Sequence, residues 1–410
     1  MNTVLKIAWR NIWRNKRRTL ITAGSIFFAV LLSILMMSIQ KGAWDKMIDN
    51  VVNFYFGYGQ IHLDGYWDEQ TIDKSFALTP ELRNLPDKTP DLGGITPRLE
   101  TFALGSHETY SYVVRLVGMD PAAENQLTGL SDRIIEGEYL TPEDKGIIIA
   151  EGVAEKFKVG ISDTLVLIGQ GYHGVNAAGK YPVKGIVRFG SPDLNKVMVY
   201  LPLLEAQRMH GAEGLINSIA LNVSNRKDVP GVLKKVRAGI DTEKYEVMSW
   251  QEMMPELLEA REVDTAGNLV ILFILYVIIT FGIFGTILMM TKEREYEFGV
   301  LTAIGMRREK LGIIIWIETV ILGLVGVVAG SLASLPLVIY LNHNPLNFNN
   351  MSEEMASTYE KFGFDPVFPA AIAPEIFWNQ AILVLIITTI LALYPLIKIS
   401  RLKPVEAMRA

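Results

Sequence analysis

The sequence predicts a membrane protein: four transmembrane α-helices, with a large α+β domain inserted between the first and the second. Three observations carry that class. Four long runs are almost free of charge, bases and acids are sorted into different connecting segments, and the longest segment is built of short stretches rich in β-branched and aromatic residues. The 410 residues are half hydrophobic and a fifth charged, with a formal charge of −5 and no cysteine. That composition excludes a disordered chain, a collagen, a disulfide scaffold and a strongly basic nucleic-acid binder.

Residues 1–18 hold six bases and no acid. On a helix, Leu5, Trp9, Ile12 and Trp13 fall on one side, with Lys6, Arg10, Arg14 and Arg17 largely opposite. This predicts a cytoplasmic interfacial amphipathic helix, held in the bilayer surface and attracted to anionic lipid. The first span, 19–40, carries no charge over 22 residues. It is too long for a signal-peptide core and no small-x-small site follows it, so it is expected to stay as an anchor. The second span, 265–291, is also charge-free, the third, 311–341, carries one charge, Glu318, and the fourth is 376–397.

Orientation follows from the connections. The segments 1–18, 292–310 and 398–410 together hold 15 bases and five acids, whereas 41–264 holds 23 bases and 33 acids and the loop 342–375 one base and five acids. An excess of bases marks the cytoplasmic side, so both termini are expected inside and the large domain outside. Trp9, Trp13, Trp44, Trp316 and Trp378 lie near predicted span ends, where indole rings favour the interface.

The outside domain, 41–264, reads as α+β, with strands over 60–63, 95–104, 110–117, 146–150, 164–168, 181–187, 196–201, 218–223 and 245–249 and helices over 151–157, 203–210, 229–239 and 250–263. The helical pattern continues outward from the first span over 38–53 and runs from 250–263 into the second, which predicts a helical stalk carrying a β-rich head. Chemistry is hard to find there. His62, His107, His173, His210 and His343 are scattered with no metal-ligand spacing, and no nucleophile elbow or zinc-protease motif occurs. Gly174-x4-Gly179-Lys180 has P-loop spacing, but Tyr181 stands where Ser or Thr must bind Mg²⁺, and a strand pattern follows where a helix is needed. A glycine-rich hairpin is the reading, and no catalytic, cofactor-binding or metal site is assigned to this chain.

The segment 292–310 is more organised than a plain loop. Phe298, Leu301 and Gly305 fall on one face of a short helix that begins with Glu293, Arg294, Glu295 and Glu297 and ends with Arg307, Arg308 and Lys310, the charge order a helix dipole favours. An apolar knob with charged flanks suits docking into a groove of a cytoplasmic protein. In the third span, Gly323, Gly326 and Gly330 permit close helix packing. Glu318 sits near the cytoplasmic rim of that span, where it can meet a base.

At these residues the chain resembles the MacB/LolC/LolE/FtsX-like class of ABC-transporter permeases. The class reads R-x-x-E-I-G-V-L-R-A-x-G after its second span, and here stand Arg294, Glu297, Phe298, Gly299, Val300, Leu301, Thr302, Ala303 and Gly305. At the C-terminus, Tyr394-Pro395 and Pro404-x-Glu406-Ala407-Met408-Arg409 are similar to the family's Y-P and P-x-E-A-L-R. The opening A-W-R-N-I-W-R-N-K-R-R-T and the stretch 147–167 are similar too, and the resemblance covers essentially the whole chain. Departures are Phe298 for Ile, Thr302 for Arg, which forgoes an ionic contact with the ATPase, Leu396 and Ile399 for Ala, and Ser162 for Gly.

The resemblance implies a non-catalytic permease subunit of the bacterial inner (plasma) membrane that binds a cytoplasmic ABC ATPase dimer, which carries ATP and Mg²⁺, and pairs with a second permease subunit, identical or different. Motion would pass through Glu293, Arg294, Glu297, Phe298, Gly299, Leu301, Ala303 and Gly305 to the periplasmic domain. The length and the acidic loop 342–375 resemble the lipoprotein-releasing LolC/LolE branch. That branch implies extraction of lipoproteins for a periplasmic carrier or adaptor, with Met253, Met254, Leu257 and Leu258 as candidate acyl-chain contacts. The alternatives are a MacB-like export permease for peptides or hydrophobic compounds, and an FtsX-like regulator that transports nothing. The bilayer is a partner in every case, and nucleic acid in none.

Overall fold

The computed structural model describes residues 2–14, 16–223, 228–347 and 367–401. It divides into two units: Met1–Asp45 with Ala260–Asn347 and Val367–Ala410, and Lys46–Glu259 with Phe348–Pro366. Most of the predicted loop 342–375 and the motif Pro404–Arg409 lie outside the described residues.

The first unit is helical. Four helices are long and apolar enough to cross a bilayer: Thr19–Phe56, Pro255–Glu293, Arg308–His343 and Pro374–Ser400. Each is longer than the charge-free run that marks it. The second, 39 residues, reaches about 58 Å at ~1.5 Å per residue, against a hydrocarbon core of ~30 Å. Two breaks have proline causes. The helical pattern predicted over 250–263 stops after Trp250–Met253, because Met254 (φ −135°, ψ 59°) precedes Pro255, whose ring disfavours helical geometry in the residue before it, and Pro255 then opens the long helix. The fourth span divides into Pro374–Leu391 and Leu393–Ser400, since Pro395 has no N–H to give the carbonyl of Leu391.

Ile26, Val30 and Ile34 of the first span, Ile283 and Ile287 of the second, Val327 and Val338 of the third and Ile376 and Val384 of the fourth form one buried cluster. The opposite faces, with Leu20, Phe28, Phe273, Phe281 and Leu332, are exposed, as lipid-facing surfaces are in a bilayer solvent. Polar groups tie the first two spans beyond their apolar stretch. Trp44 Nε1 donates to Asp264 Oδ2 at 2.7 Å, Gln40 Nε2 donates to the same oxygen at 2.9 Å, and Asn268 donates to Gln40 Oε1.

The second unit is the α+β domain. Its strands are β1 (Gly59–Leu63), β2 (Phe76–Ala77), β3 (Leu92–His107), β4 (Tyr110–Met119), β5 (Ile134–Gly137), β6 (Ile147–Ala150), β7 (Thr164–Gln170), β8 (Asn176–Val187), β9 (Met198–Pro202), β10 (Leu215–Ile216), β11 (Ser218–Val223) and β12 (Tyr245–Ser249). Ten form one sheet in the order β12-β1-β11-β3-β4-β9-β6-β8-β5, with β7 pairing β3 and β8, while β2 and β10 pair separately. The pairs β4–β9 and β6–β8 are parallel. The Gly174–Gly179 stretch is the end of the β7–β8 turn and the start of β8: Gly174, at φ +80°, serves the turn, and Gly179 pairs with Leu167 in the strand. The structure adds β2, β5 and β10: two residues are too few to show a period, and Ile134–Gly137 lacks the continuous apolar run that marks the equally short Ile147–Ala150.

Two cores stabilise this unit. One gathers Ile147–Ala150, Phe157, Leu165, Leu167 and Met198–Leu201; the other lays Val229, Val232 and Val236 of the helix Val229–Ala238 over Ile61, Ile219, Leu221 and Val247. A buried charge cluster adjoins the first core at Tyr55. Arg98, fully buried, donates to both oxygens of Glu124 at 2.8 and 2.7 Å and to the Tyr55 carbonyl at 2.6 Å. The Tyr55 hydroxyl donates to Glu100, and Asn217 bonds the Glu100 backbone in both directions at 2.8 and 2.7 Å. Unpaired, these charges would cost several kcal/mol each to bury; Arg98 and Glu124 bond each other directly, and Glu100 Oε1, which accepts no hydrogen bond among the described residues, faces Arg98 Nη1 at 3.7 Å.

Candidate coupling site

The second span ends at Glu293, a short helix covers Glu295–Ala303, and the third span begins at Arg308. The predicted helix over 292–310 is therefore shorter than expected. Its start is set by Arg294, whose backbone (φ −101°, ψ 5°) is non-helical, and its end by Gly305, at φ +106°. A positive φ favours glycine because a side chain would meet the neighbouring carbonyl.

Arg294 organises the site. Its Nη1 donates to both oxygens of Glu318, at 3.0 and 2.9 Å, its Nε donates to Glu297 Oε2 at 3.2 Å, and its guanidinium lies 5.4 Å from the Phe298 ring centroid. Glu318, the lone charge of the third span, is fully buried, and Asn11 Nδ2 approaches its other side at 3.4 Å. Glu297 also accepts from Arg14 Nη2 of the helix Asn2–Arg14 at 2.6 Å to each oxygen. That bond holds the Glu297 carboxyl below the usual carboxylate range and raises the Arg14 guanidinium. On the other flank, Glu295 meets Lys292 at 3.1 Å and Lys398 of the fourth span at 3.5 Å. Burial pushes its carboxyl up, the two ammonium groups outweigh that, and the net direction is down.

Phe298 does not project as a docking knob. It is buried with Ile12, Met290, Leu311, Ile315 and Ile399, so it seats the short helix on the span ends. Gly299 is buried beside it and Leu301 is half-buried, whereas Glu293, Ala303 and Gly305 are exposed. The exposed apolar residues are Tyr296 and Ile304, the latter 79% exposed. Sequence reasoning passed over Ile304; the signal for it was its place just ahead of Gly305, where the helix ends and a side chain swings free. The network joins the N-terminal helix, the short helix and the third and fourth spans through charge-assisted bonds, the stronger class of hydrogen bond.

The N-terminal helix also differs from its predicted arrangement. Ala8 and Ile12 are buried, while Trp9 and Trp13 are exposed together with Lys6 and Arg10. Leu5 has no described side chain.

The glycines of the third span face neighbours within the same unit. A β-carbon at Gly323 would stand 2.6 Å from Thr388 Cγ2, at Gly326 2.7 Å from Ile26 Cβ, and at Gly330 2.7 Å from the Phe27 carbonyl oxygen. In the other unit, Met253 and Leu257 are buried and Met254 and Leu258 half-buried, so none of the four candidate substrate contacts is openly exposed. Among the described residues no group of three or more His, Asp or Glu is placed to hold a metal ion.

Residues 19–238 match the MacB-like periplasmic core domain and residues 269–404 the FtsX-like permease C-terminal domain. The chain belongs to the MacB/FtsX-like permease family. It is similar to the lipoprotein-releasing system transmembrane protein LolC of Xylella fastidiosa (strain 9a5c), 18% identical over 337 residues that cover 78% of each chain. Among solved structures it is similar to the periplasmic region of MacB from Actinobacillus actinomycetemcomitans (14% identity, TM-score 0.35, covering 52% of this chain and 98% of that one). It is also similar to the extracellular domain of the ABC-type transporter YknZ from Gram-positive bacteria (14%, TM-score 0.33, covering 46% and 100%). As a MacB/FtsX-like permease, the chain is a multi-pass inner-membrane subunit of the ABC-transporter class with its periplasmic domain between spans one and two, and the family implies an ATPase partner and a partner permease.

Proposed function

We propose that this chain carries ATP-driven motion from a cytoplasmic ATPase dimer to its periplasmic domain, and that the work done there is the release of lipoproteins from the inner membrane. The observation that carries the transmission reading is the ionic seating of Glu295–Ala303. Arg14, Arg294, Glu297 and Glu318 bind the short helix to the N-terminal helix and the third span, so a push on Tyr296 or Ile304 is delivered to the spans and is not absorbed in a loose loop. Both termini and the short helix lie inside the cell on this reading, in keeping with the excess of bases in 1–18, 292–310 and 398–410. ATP and Mg²⁺ belong to the partner, and this chain performs no catalysis.

Lipoprotein as substrate is supported by the similarity to LolC over 78% of both chains and by the acidic loop 342–375. The half-buried Met254 and Leu258 are the acyl-chain contacts on this reading, and a periplasmic carrier receives the product. A MacB-like export role is the second reading, favoured by the match of residues 19–238 to the MacB-like periplasmic core. Depletion followed by membrane fractionation separates them. Lipoproteins stranded in the inner membrane support release; normal sorting with a gain in drug sensitivity supports export. Normal sorting with an altered cell-wall hydrolase phenotype and neither other effect supports a regulator that transports nothing.

A further inference from the structure

The helix Asn2–Arg14 turns Ala8 and Ile12 into the protein, and the rest of its circumference has an unusual make-up. At ~100° per residue, Lys6, Trp9, Arg10, Trp13 and Arg14 fall within an arc of about 140°. All five are exposed, Trp9 and Trp13 at 49% and 46%, with their rings edge to face at 5.9 Å. Lys16 and Arg17 are exposed as well, and residues 1–18 contain no acid. Two amphipathic rings among five cations match the headgroup layer of a membrane: indoles settle at that depth, and the cations meet phosphates. The helix leads directly into the first span, so this arc is at the bilayer surface.

We propose that this arc is a binding site for anionic phospholipid headgroups, and that lipid bound there weakens the hold of Arg14 on Glu297. Arg14 stands at the edge of the arc nearest the coupling segment. Its side chain is 58% exposed while its Nη2 donates to Glu297. A phosphodiester held by Lys6 and Arg10 lies beside Arg14 and competes with the carboxylate for it. Membrane charge thereby sets how firmly the short helix Glu295–Ala303 is tied to the N-terminal helix, while Arg294 keeps its tie to the third span. The inference rests on the coupling reading for its consequence, but the site itself can be tested without an ATPase.

The test uses the full chain in nanodiscs of phosphatidylcholine with 0, 20 or 40% phosphatidylglycerol. Brominated phosphatidylglycerol should quench the emission of Trp9 and Trp13, taken as the difference from a Trp9→Phe/Trp13→Phe variant, at least twofold more than brominated phosphatidylcholine at equal mole fraction. Lys6→Gln/Arg10→Gln should abolish that preference, as should 0.5 M NaCl in the wild type, which screens without altering the fold. Amide exchange of the peptide 294–303 should rise about threefold between 0 and 40% phosphatidylglycerol in the wild type and stay level in Arg14→Gln. Equal quenching by the two lipids, or exchange indifferent to phosphatidylglycerol, overturns the proposal. So does the same rise in exchange on adding inorganic phosphate to uncharged nanodiscs, because the ligand would then be a free anion. Normal lipoprotein sorting in the depletion experiment leaves every one of these readouts in place, so the two failures are distinguishable.

Discussion

Replacing Arg294 with glutamine removes a two-pronged bond, at 3.0 and 2.9 Å, from a carboxylate that has no exposed surface. Glu318 would lose its guanidinium partner, and the neutral Asn11 Nδ2 at 3.4 Å cannot supply the missing positive charge. Breaking a buried pair on one side costs ~3–5 kcal/mol, most of it the penalty for the charge left behind. Neutralising both sides, Arg294→Gln with Glu318→Gln, leaves two amides that can bond each other, and should recover ~2 kcal/mol or more of that loss. Arg294→Lys should fall between, since an ammonium keeps the charge but not the planar fork. Unfolding midpoints in a detergent titration report the wild type, each Gln single variant, the Gln double variant and Arg294→Lys, and stimulation of the partner ATPase reports the same series functionally. If the double variant is simply the sum of the singles, with a coupling energy under ~0.5 kcal/mol, Arg294 and Glu318 do not stabilise each other and the seating of the short helix needs another basis.

Other outcomes follow from the same geometry. Ile304→Asp puts a charge on the most exposed apolar position of the coupling segment and should cut co-purification of the ATPase at least tenfold with no change in the permease's unfolding midpoint. Gly326→Ala inserts a methyl 2.7 Å from Ile26 Cβ; span separation should cost ~1–3 kcal/mol in the same titration, and a neutral result would show that spans one and three part easily. His62 is fully buried, and burial holds its pKa down to about 4 against an ordinary 6.5. The folded state therefore binds fewer protons than the unfolded chain between those values. Stability is complete above about pH 6.5 and falls by up to ~1.4 kcal/mol per unit as the pH drops toward 4. His210, shifted the same way by burial, adds to the fall. His62→Phe should lose about 2 kcal/mol less than the wild type between pH 7.5 and 5, read from denaturant midpoints.

The spans were legible because a charge-free run of twenty or more residues has few other uses, and the sheet because nine of its strands are long enough to show alternation or continuous apolar character. The coupling segment was legible as a motif but not as an arrangement. The predicted helix starts at Glu293, two residues too early, because nothing in the chain announces that Arg294 leaves helical geometry, and it places Phe298 outward where the span ends bury it. The Arg294–Glu318 pair spans 24 positions and three helix boundaries, and Arg14–Glu297 spans 283. Local periodicity is blind to both. A lone carboxylate in a span did signal that a base must be near, and there were too many bases at the cytoplasmic rim for sequence to choose. Trp9 and Trp13 were assigned to the apolar side by type, whereas the smaller Ala8 and Ile12 fit against the neighbouring helices.

The charge cluster around Arg98 bears on how this architecture can diversify. It draws on residues 55, 98, 100, 124 and 217, which come from widely separated parts of the periplasmic domain. Grafting one core from a relative would strand at least one buried ion unless its counterpart travelled with it. Chimaeras that cut between Tyr55 and Asn217 should therefore fail, whereas exchange of the whole segment should succeed. New cargo would then be accommodated by changes on the surface of the head, with its interior inherited as a single unit.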